Sequence, residues 1–465
     1  MLAGFVGYGI LESFRNRTAQ DYFLASRRVP WAVAMLSIVA TETSVLTFIS
    51  VPGLAYQGDW YFLEIAIGYI LGRILVSVLL LPRYFESGIT SIYEVLGRRF
   101  GRGMQKSASV VFLATRILAD GVRFMATGVV VHFVTGWPLW AAICLIGGIT
   151  LLYALLGGIR TIVWVDSFQF VLYLAGGIIS IAYLLGHLQP EAWDAIGQLA
   201  ASGKARIFHF DGSFLHDVRF APSAIFGGMV LSLASHGVDH MMVQRVLACR
   251  DLPSARRAMV GSGIFVFVQF SLFLAVGSLL HIYFRGAPME TDREFATFIV
   301  HELPSGLKGL LLAGILGAAM STLSSSINSL ASSFMTDWWP RRATLGMSRV
   351  SSFFFAAVVT SVALFFDDGD RAVVMVGLEI ASFTYGGLLG LFLLARTGRS
   401  YRTASLAAGF AASLATVFVL KWFGIAWTFF IAAATVSNLL VVLLAERCQK
   451  AKGQTGDPPP PVTAS

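Results

Sequence analysis

Between residues 306 and 335 the chain reads GLKGLLLAGILGAAMSTLSSSINSLASSFM, in which Ala318, Ser321, Thr322 and Ser325 recur at i, i+3, i+4 and i+7. That spacing puts small and hydroxyl-bearing residues along one stripe of a helix, with Ser324 on its shoulder. Such a stripe serves either close helix packing or an alkali-cation site, because Na+ is hard and takes several uncrowded oxygens from hydroxyls and backbone carbonyls. A second polar group interrupts WAVAMLSIVATETSVLTFISVPGLAY, where Thr41, Glu42, Thr43 and Ser44 stand together at bilayer depth. Four polar residues there imply either a discontinuous helix whose freed carbonyls line a cavity, or an ordinary helix whose hydroxyls bond back to its own carbonyls. Asp166, in TIVWVDSFQF, reads equally as a helix cap near the membrane surface or as an anionic cation ligand. Arg116, Asp120 and Arg123 share one helix face at i, i+4 and i+7. One arginine pairs with Asp120, and the guanidinium left over suits a carboxylate on a solute. Asp239, His240 and Gln244 follow in ASHGVDHMMVQRVLACRD, where His236 and His240 are i, i+4. Without a third ligand, packing or solute contact is the better reading for those histidines than a metal. No nucleophile stands beside a base, so the sequence points away from an enzyme.

These positions lie in an otherwise apolar chain. Of 465 residues, 13% are charged and 56% hydrophobic, and the mean hydropathy is +0.73. Soluble domains carry about 25% charged residues, so a soluble enzyme and a disordered chain are both excluded. The 46 glycines and 37 phenylalanines suit close helix packing and lipid-facing bulk. Cys144, Cys249 and Cys448 are too scattered for a disulfide framework or a metal motif.

A bilayer core needs roughly 20 apolar residues per helix. Stretches of that kind run over 31–57, 60–83, 108–134, 138–157, 162–186, 221–247, 258–283, 306–335, 349–366, 371–396, 402–421 and 425–446. The opening MLAGFVGYGILESF is too short to cross and reads as a thirteenth helix whose beginning is missing. With the N-terminus outside, 23 of the 34 Lys and Arg fall in inner segments, Arg245 among them, which supports thirteen crossings and an inner C-terminus. The net charge of +8 then reflects loops facing anionic lipid rather than nucleic acid.

In order along the chain, GRILVSVLLLPRYF with TSIYEVLGRRFG, GGIRTIVWVDSFQF, VDHMMVQRVLACRD and LPSGLKGLLLAGILGAAMSTLSSSINS resemble the sodium:solute symporter family. The resemblance implies an all-α membrane fold of the LeuT-like kind, with two inverted five-helix repeats at about 31–187 and 221–396 and the first helix of each repeat broken. It divides the chain into a truncated first helix (1–20), a symporter core (21–396), two further transmembrane helices (397–446) and a disordered cytoplasmic tail (447–465).

Carried over motif by motif, the resemblance implies one sodium site from the carbonyls of Ala40, Thr43 and Ala318 and the hydroxyls of Ser321 and Thr322. It implies a second from Asp166, Ser321, Ser324 and Ser325. Leu46 and Thr47 stand where sugar-carrying members have a Glu-Gln pair, which argues against a sugar. A basic residue contacts the solute carboxylate in the sialic acid branch, and Arg116 matches it. Glu42, Ser44, Thr47, Arg116, Arg123 and His240 are the expected solute contacts. The expected activity is Na+-coupled import of a small, carboxylate-bearing solute at the cell membrane, with the lipid bilayer and the solute as partners and no obligate protein partner. Proton coupling through Glu42, Asp166 or Asp239, and solute sensing for a separate signalling protein, are the competing expectations.

Overall fold

The computed structural model describes residues 2–188, 192–290, 293–365 and 373–454, and among them every regular element is a helix. The chain opens with α1 (Leu2–Ser13) and the short α2 (Ala19–Leu24), which Thr18 and Asp21 hold in a reciprocal capping box. Then α3 (Trp31–Glu42) and α4 (Val45–Gln57) form a bent pair, their axes 65° apart. The helices α5 (Phe62–Leu79), α6 (Leu81–Glu86), α7 (Tyr93–Phe100) and α8 (Arg102–Thr135) follow.

At 50 residues, α9 (Leu139–Leu188) would be about 75 Å long if straight. A bilayer core is only about 30 Å thick. Gly158, at φ 64° and ψ −159°, breaks it between the two stretches 138–157 and 162–186. A Cβ at Gly158 would stand 2.6 Å from the Tyr22 carbonyl oxygen, so glycine is required there on two counts.

After α10 (Ala192–Ala201), a second bent pair, α11 (Ala221–Gly237) and α12 (His240–Leu247), turns through 64°. Asp239 caps α12 by accepting from the Met241 amide at 2.9 Å. The remaining helices are α13 (Leu252–Tyr283), α14 (Glu294–His301), α15 (Ser305–Trp338), α16 (Leu345–Phe365), α17 (Val373–Arg396), α18 (Thr403–Trp422) and α19 (Phe430–Gln454).

Seven of the described helical segments are long and apolar enough to cross a membrane singly, nine crossings if each bent pair counts as one. That is fewer than the thirteen expected; the broken α9 alone holds two of the expected stretches, and the start of the 371–396 stretch lies outside the described residues. The end expected to be disordered from residue 447 instead continues α19 as helix to Gln454, and beyond that residue it lies outside the described residues.

Backbone contact sets the scaffold. A Cβ at Gly68 would meet the Ile225 carbonyl oxygen at 2.3 Å, and one at Gly228 would meet that of Ile65 at 2.3 Å, so α5 and α11 touch with no side chain between them. The serine-rich α15 packs along α9 and against α3, α8 and α12, and its middle is buried almost without interruption from Gly317 to Ala331.

Candidate functional site

The α3 helix stops because Thr43 and Ser44 are extended, at φ −80°, ψ 97° and φ −84°, ψ 171°. The Thr43 amide still reaches the Val39 carbonyl at 2.9 Å. The next carbonyls, from Ala40 onward, have no following helical turn to bond to. One of them, the Thr41 carbonyl, meets α15: Thr322 Oγ1 lies 3.4 Å from it and 3.4 Å from the Ala318 carbonyl. Ala40, Thr43, Ala318, Ser321 and Thr322 are all buried, and the structure brings the break and the stripe together. Ser321 Oγ is buried and closes no hydrogen bond. The Thr43 hydroxyl is turned away, 2.8 Å from the Gln269 amide nitrogen on α13, which also reaches Tyr173 Oη at 3.2 Å.

Asp166 is fully buried on the second half of α9, one layer from these oxygens. Its Oδ2 accepts from Ser37 Oγ at 2.7 Å and more weakly from Thr41 Oγ1 at 3.4 Å. Arg245 reaches the same oxygen at 3.4 Å and bonds Ser325 Oγ, which is itself 3.2 Å from Thr41 Oγ1. Asp166 Oδ1 has no partner and faces the Ser321 hydroxyl, while Ser324 Oγ donates to the Ser321 carbonyl at 3.1 Å. A buried carboxylate with serine and threonine hydroxyls around it is a set of hard oxygens of the kind that fits Na+.

A second charged group lies between the two breaks. Glu42 bonds Arg73, which is wholly buried on α5, and its Oε2 is 3.7 Å from His236 Nε2 at the end of α11. Arg116 donates to Asp239 Oδ2 from Nε at 2.8 Å and from Nη2 at 2.5 Å. It also donates to Asp120 Oδ1 at 3.2 Å and meets Tyr385 Oη at 3.1 Å. Arg123 is different: its side chain is 21% exposed and approaches Asp120 only to 3.6 Å. His240 is remote from the serine sites, with Nε2 3.2 Å from Ser332 Oγ and its ring packed on Tyr93 and Phe112. Ser44 is buried and Thr47 half-buried at the start of α4.

The sodium:solute symporter family profile matches residues 22–395. The chain belongs to that family. Within it, the chain is 27% identical over 411 residues to the human sodium-coupled monocarboxylate transporter 2, covering 83% of this chain and 65% of that one. It is 26% identical over 436 residues to the sodium/sialic acid symporter NanT of Aliivibrio fischeri (strain ATCC 700601 / ES114), covering 90% and 85%. The solved structure of a substrate-bound, outward-open Na+-coupled sialic acid symporter superposes with a TM-score of 0.86 at 24% identity, over 96% of each chain. Mhp1, a nucleobase-cation-symport-1 family transporter, shares the fold more loosely, at a TM-score of 0.59 and 14% identity. The chain is thus an all-helical membrane protein with a transporter fold, and it spans about two thirds of the length of the human monocarboxylate relative.

In this symporter-family chain, several polar residues escaped the sequence reading. Ser37 is one helical turn before Thr41, yet sits in an apolar run with nothing to mark it. Arg245, counted among the inner-loop arginines, is fully buried inside the fold, which corrects that count by one. Arg73 stands inside the GRILVSVLLLPRYF motif without having been given a role, and Gln269 and Tyr385 come from stretches that carried no motif; only the fold brings the three to the breaks.

Proposed function

We propose that this chain is a secondary active transporter that carries a small carboxylate-bearing solute into the cell together with Na+, by alternating access. The observation that carries the reading is the meeting of the broken α3–α4 pair with the hydroxyl stripe of α15, where Ser321 Oγ is buried and unbonded. On this reading Ala40, Thr43 and Ala318 offer carbonyls and Ser321 and Thr322 offer hydroxyls to one Na+. Asp166, Ser321, Ser324 and Ser325 hold a second. Binding of the ion fixes the break against α15 and so shapes the solute site next to it. The two bent pairs, α3–α4 and α11–α12, each open a unit of helices, and they support two inverted five-helix repeats at about 31–187 and 221–396. Thirteen crossings with the N-terminus outside and the C-terminus inside complete the arrangement. The names of the monocarboxylate and sialic acid relatives, together with the partly open guanidinium of Arg123, favour a carboxylate over a neutral sugar.

The test is uptake by proteoliposomes of the purified chain under an imposed inward Na+ gradient, after a thermal-shift screen of carboxylates, amino acids, sugars and nucleosides with and without Na+. Na+-dependent accumulation of a carboxylate is the expected result. Uptake that ignores Na+ and collapses with a protonophore would replace Na+ by H+. Stabilisation by a solute with no accumulation under any gradient would favour a sensing role.

A further inference from the structure

Two of the side chains proposed to hold the second Na+ already contact a cation that belongs to the chain. Arg245 is wholly buried; its Nη2 bonds Ser325 Oγ and lies 3.4 Å from Asp166 Oδ2. Its Nε donates to Ser37 Oγ at 2.9 Å and its Nη1 to the Met241 carbonyl at 2.6 Å. On the other side of the same carboxyl, Asp166 Oδ1 and Ser321 Oγ are both buried, face each other and close no hydrogen bond elsewhere. The carboxylate therefore has a guanidinium against one oxygen and only a neutral hydroxyl beside the other. The carriers also differ. Asp166 is on α9 and the serines are on α15, whereas Arg245 is on α12, the short helix beyond the second break.

We infer that Arg245 is a tethered competitor for Na+ at the Asp166 site, weakening the ion held there and linking its affinity to the position of the α12 half-helix. The inference rests on the sodium-coupled reading above. Na+ enters on the Oδ1 and Ser321 side against the repulsion of a fixed guanidinium that shares its carboxylate. A shift of α12 that draws Arg245 away from Asp166 tightens the ion, and its return loosens it. Arg245 is thus a positioning residue for the ion rather than a contact of the solute.

The experiment uses the full chain in detergent, with Thr322→Ala to disable the site at the first break while leaving the Asp166 set complete. Melting temperature is followed as NaCl replaces choline chloride at constant ionic strength. Adding Arg245→Gln is expected to lower the half-saturating Na+ concentration roughly tenfold or more, although the variant melts lower than its parent in the absence of Na+. Adding Asp166→Asn should remove the response. A purely structural arginine would lower the melting temperature and leave Na+ affinity unchanged or weaker, and that result overturns the inference. Arg245→Lys keeps the charge but loses the fork to Ser37 and Ser325, so its Na+ affinity should fall between the two. If the Gln variant does not fold, the Lys variant decides, and affinity no tighter than the parent's overturns the inference. A wild-type chain without Na+-specific stabilisation removes the sodium-coupled reading and this inference together. A wild type that responds while Arg245→Gln fails to tighten removes this inference alone.

Discussion

Arg116 and Arg123 lie on one face of α8, but their surroundings divide their work. Arg116 is 3% exposed and pairs with two buried carboxylates, Asp239 at the second break and Asp120 on its own helix. Removing one partner of a buried ion pair costs about 3–5 kcal/mol. Arg116→Ala is therefore expected to lower the melting temperature sharply, with or without solute. Arg123 has a looser contact and a partly open guanidinium. Hydrogen bonds to a charged group are worth about 1.5–3 kcal/mol, so Arg123→Gln should raise the solute KM roughly tenfold to a hundredfold while the melting temperature barely moves. Equal destabilisation by both substitutions would show that Arg123 is structural too. The shared face was legible from the i, i+4, i+7 spacing. Which arginine remains over was not, because Asp239 and Tyr385 reach Arg116 from more than a hundred residues away. Asp166 poses a similar question for the ions. Asp166→Ala is expected to reduce the Hill coefficient for Na+ in uptake from near two to near one, and an unchanged coefficient would remove the second site.

At the scale of elements, the two breaks were not equally visible. Thr41 to Ser44 point to the first, because four polar residues together at bilayer depth favour a broken helix over one whose hydroxyls bond back to its own carbonyls. The second, at Val238 and Asp239, has only one strongly polar residue at the turn, and composition alone did not reveal it; the family resemblance implied it. The break within α9 follows a different rule, since Gly157 and Gly158 stand between two stretches each long enough to cross. Gly158→Ala should be destabilising twice over, through the left-handed φ, which costs about 1–2 kcal/mol in an L residue, and through the clash with Tyr22. Gly148, on the same helix, has open space where its Cβ would be. Gly148→Ala is expected to be neutral or slightly stabilising, as alanine usually is in a helix. Comparing the two melting temperatures separates a required hinge from a general intolerance of α9.

For the whole molecule, solute charge and ion number together fix how the transporter should respond to voltage. A tenfold Na+ gradient supplies about 1.4 kcal/mol per ion, and one charge crossing 100 mV about 2.3 kcal/mol. If a monocarboxylate travels with one Na+, the cycle moves no net charge, and accumulation stops near tenfold whatever the potential. With two Na+, one positive charge crosses per cycle, the drive rises to roughly 5 kcal/mol at 100 mV inside-negative, and accumulation can reach several thousandfold. Proteoliposomes clamped with a potassium and valinomycin gradient distinguish these cases directly. The Asp166 site predicts that an inside-negative potential raises steady-state accumulation of a monocarboxylate by roughly fifty-fold per 100 mV, and that Asp166→Ala makes uptake nearly indifferent to voltage while Na+ dependence persists through Ser321 and Thr322. Voltage-indifferent uptake by the wild type would instead mean that Asp166 serves only as the counter-ion of Arg245, the contact the structure already records.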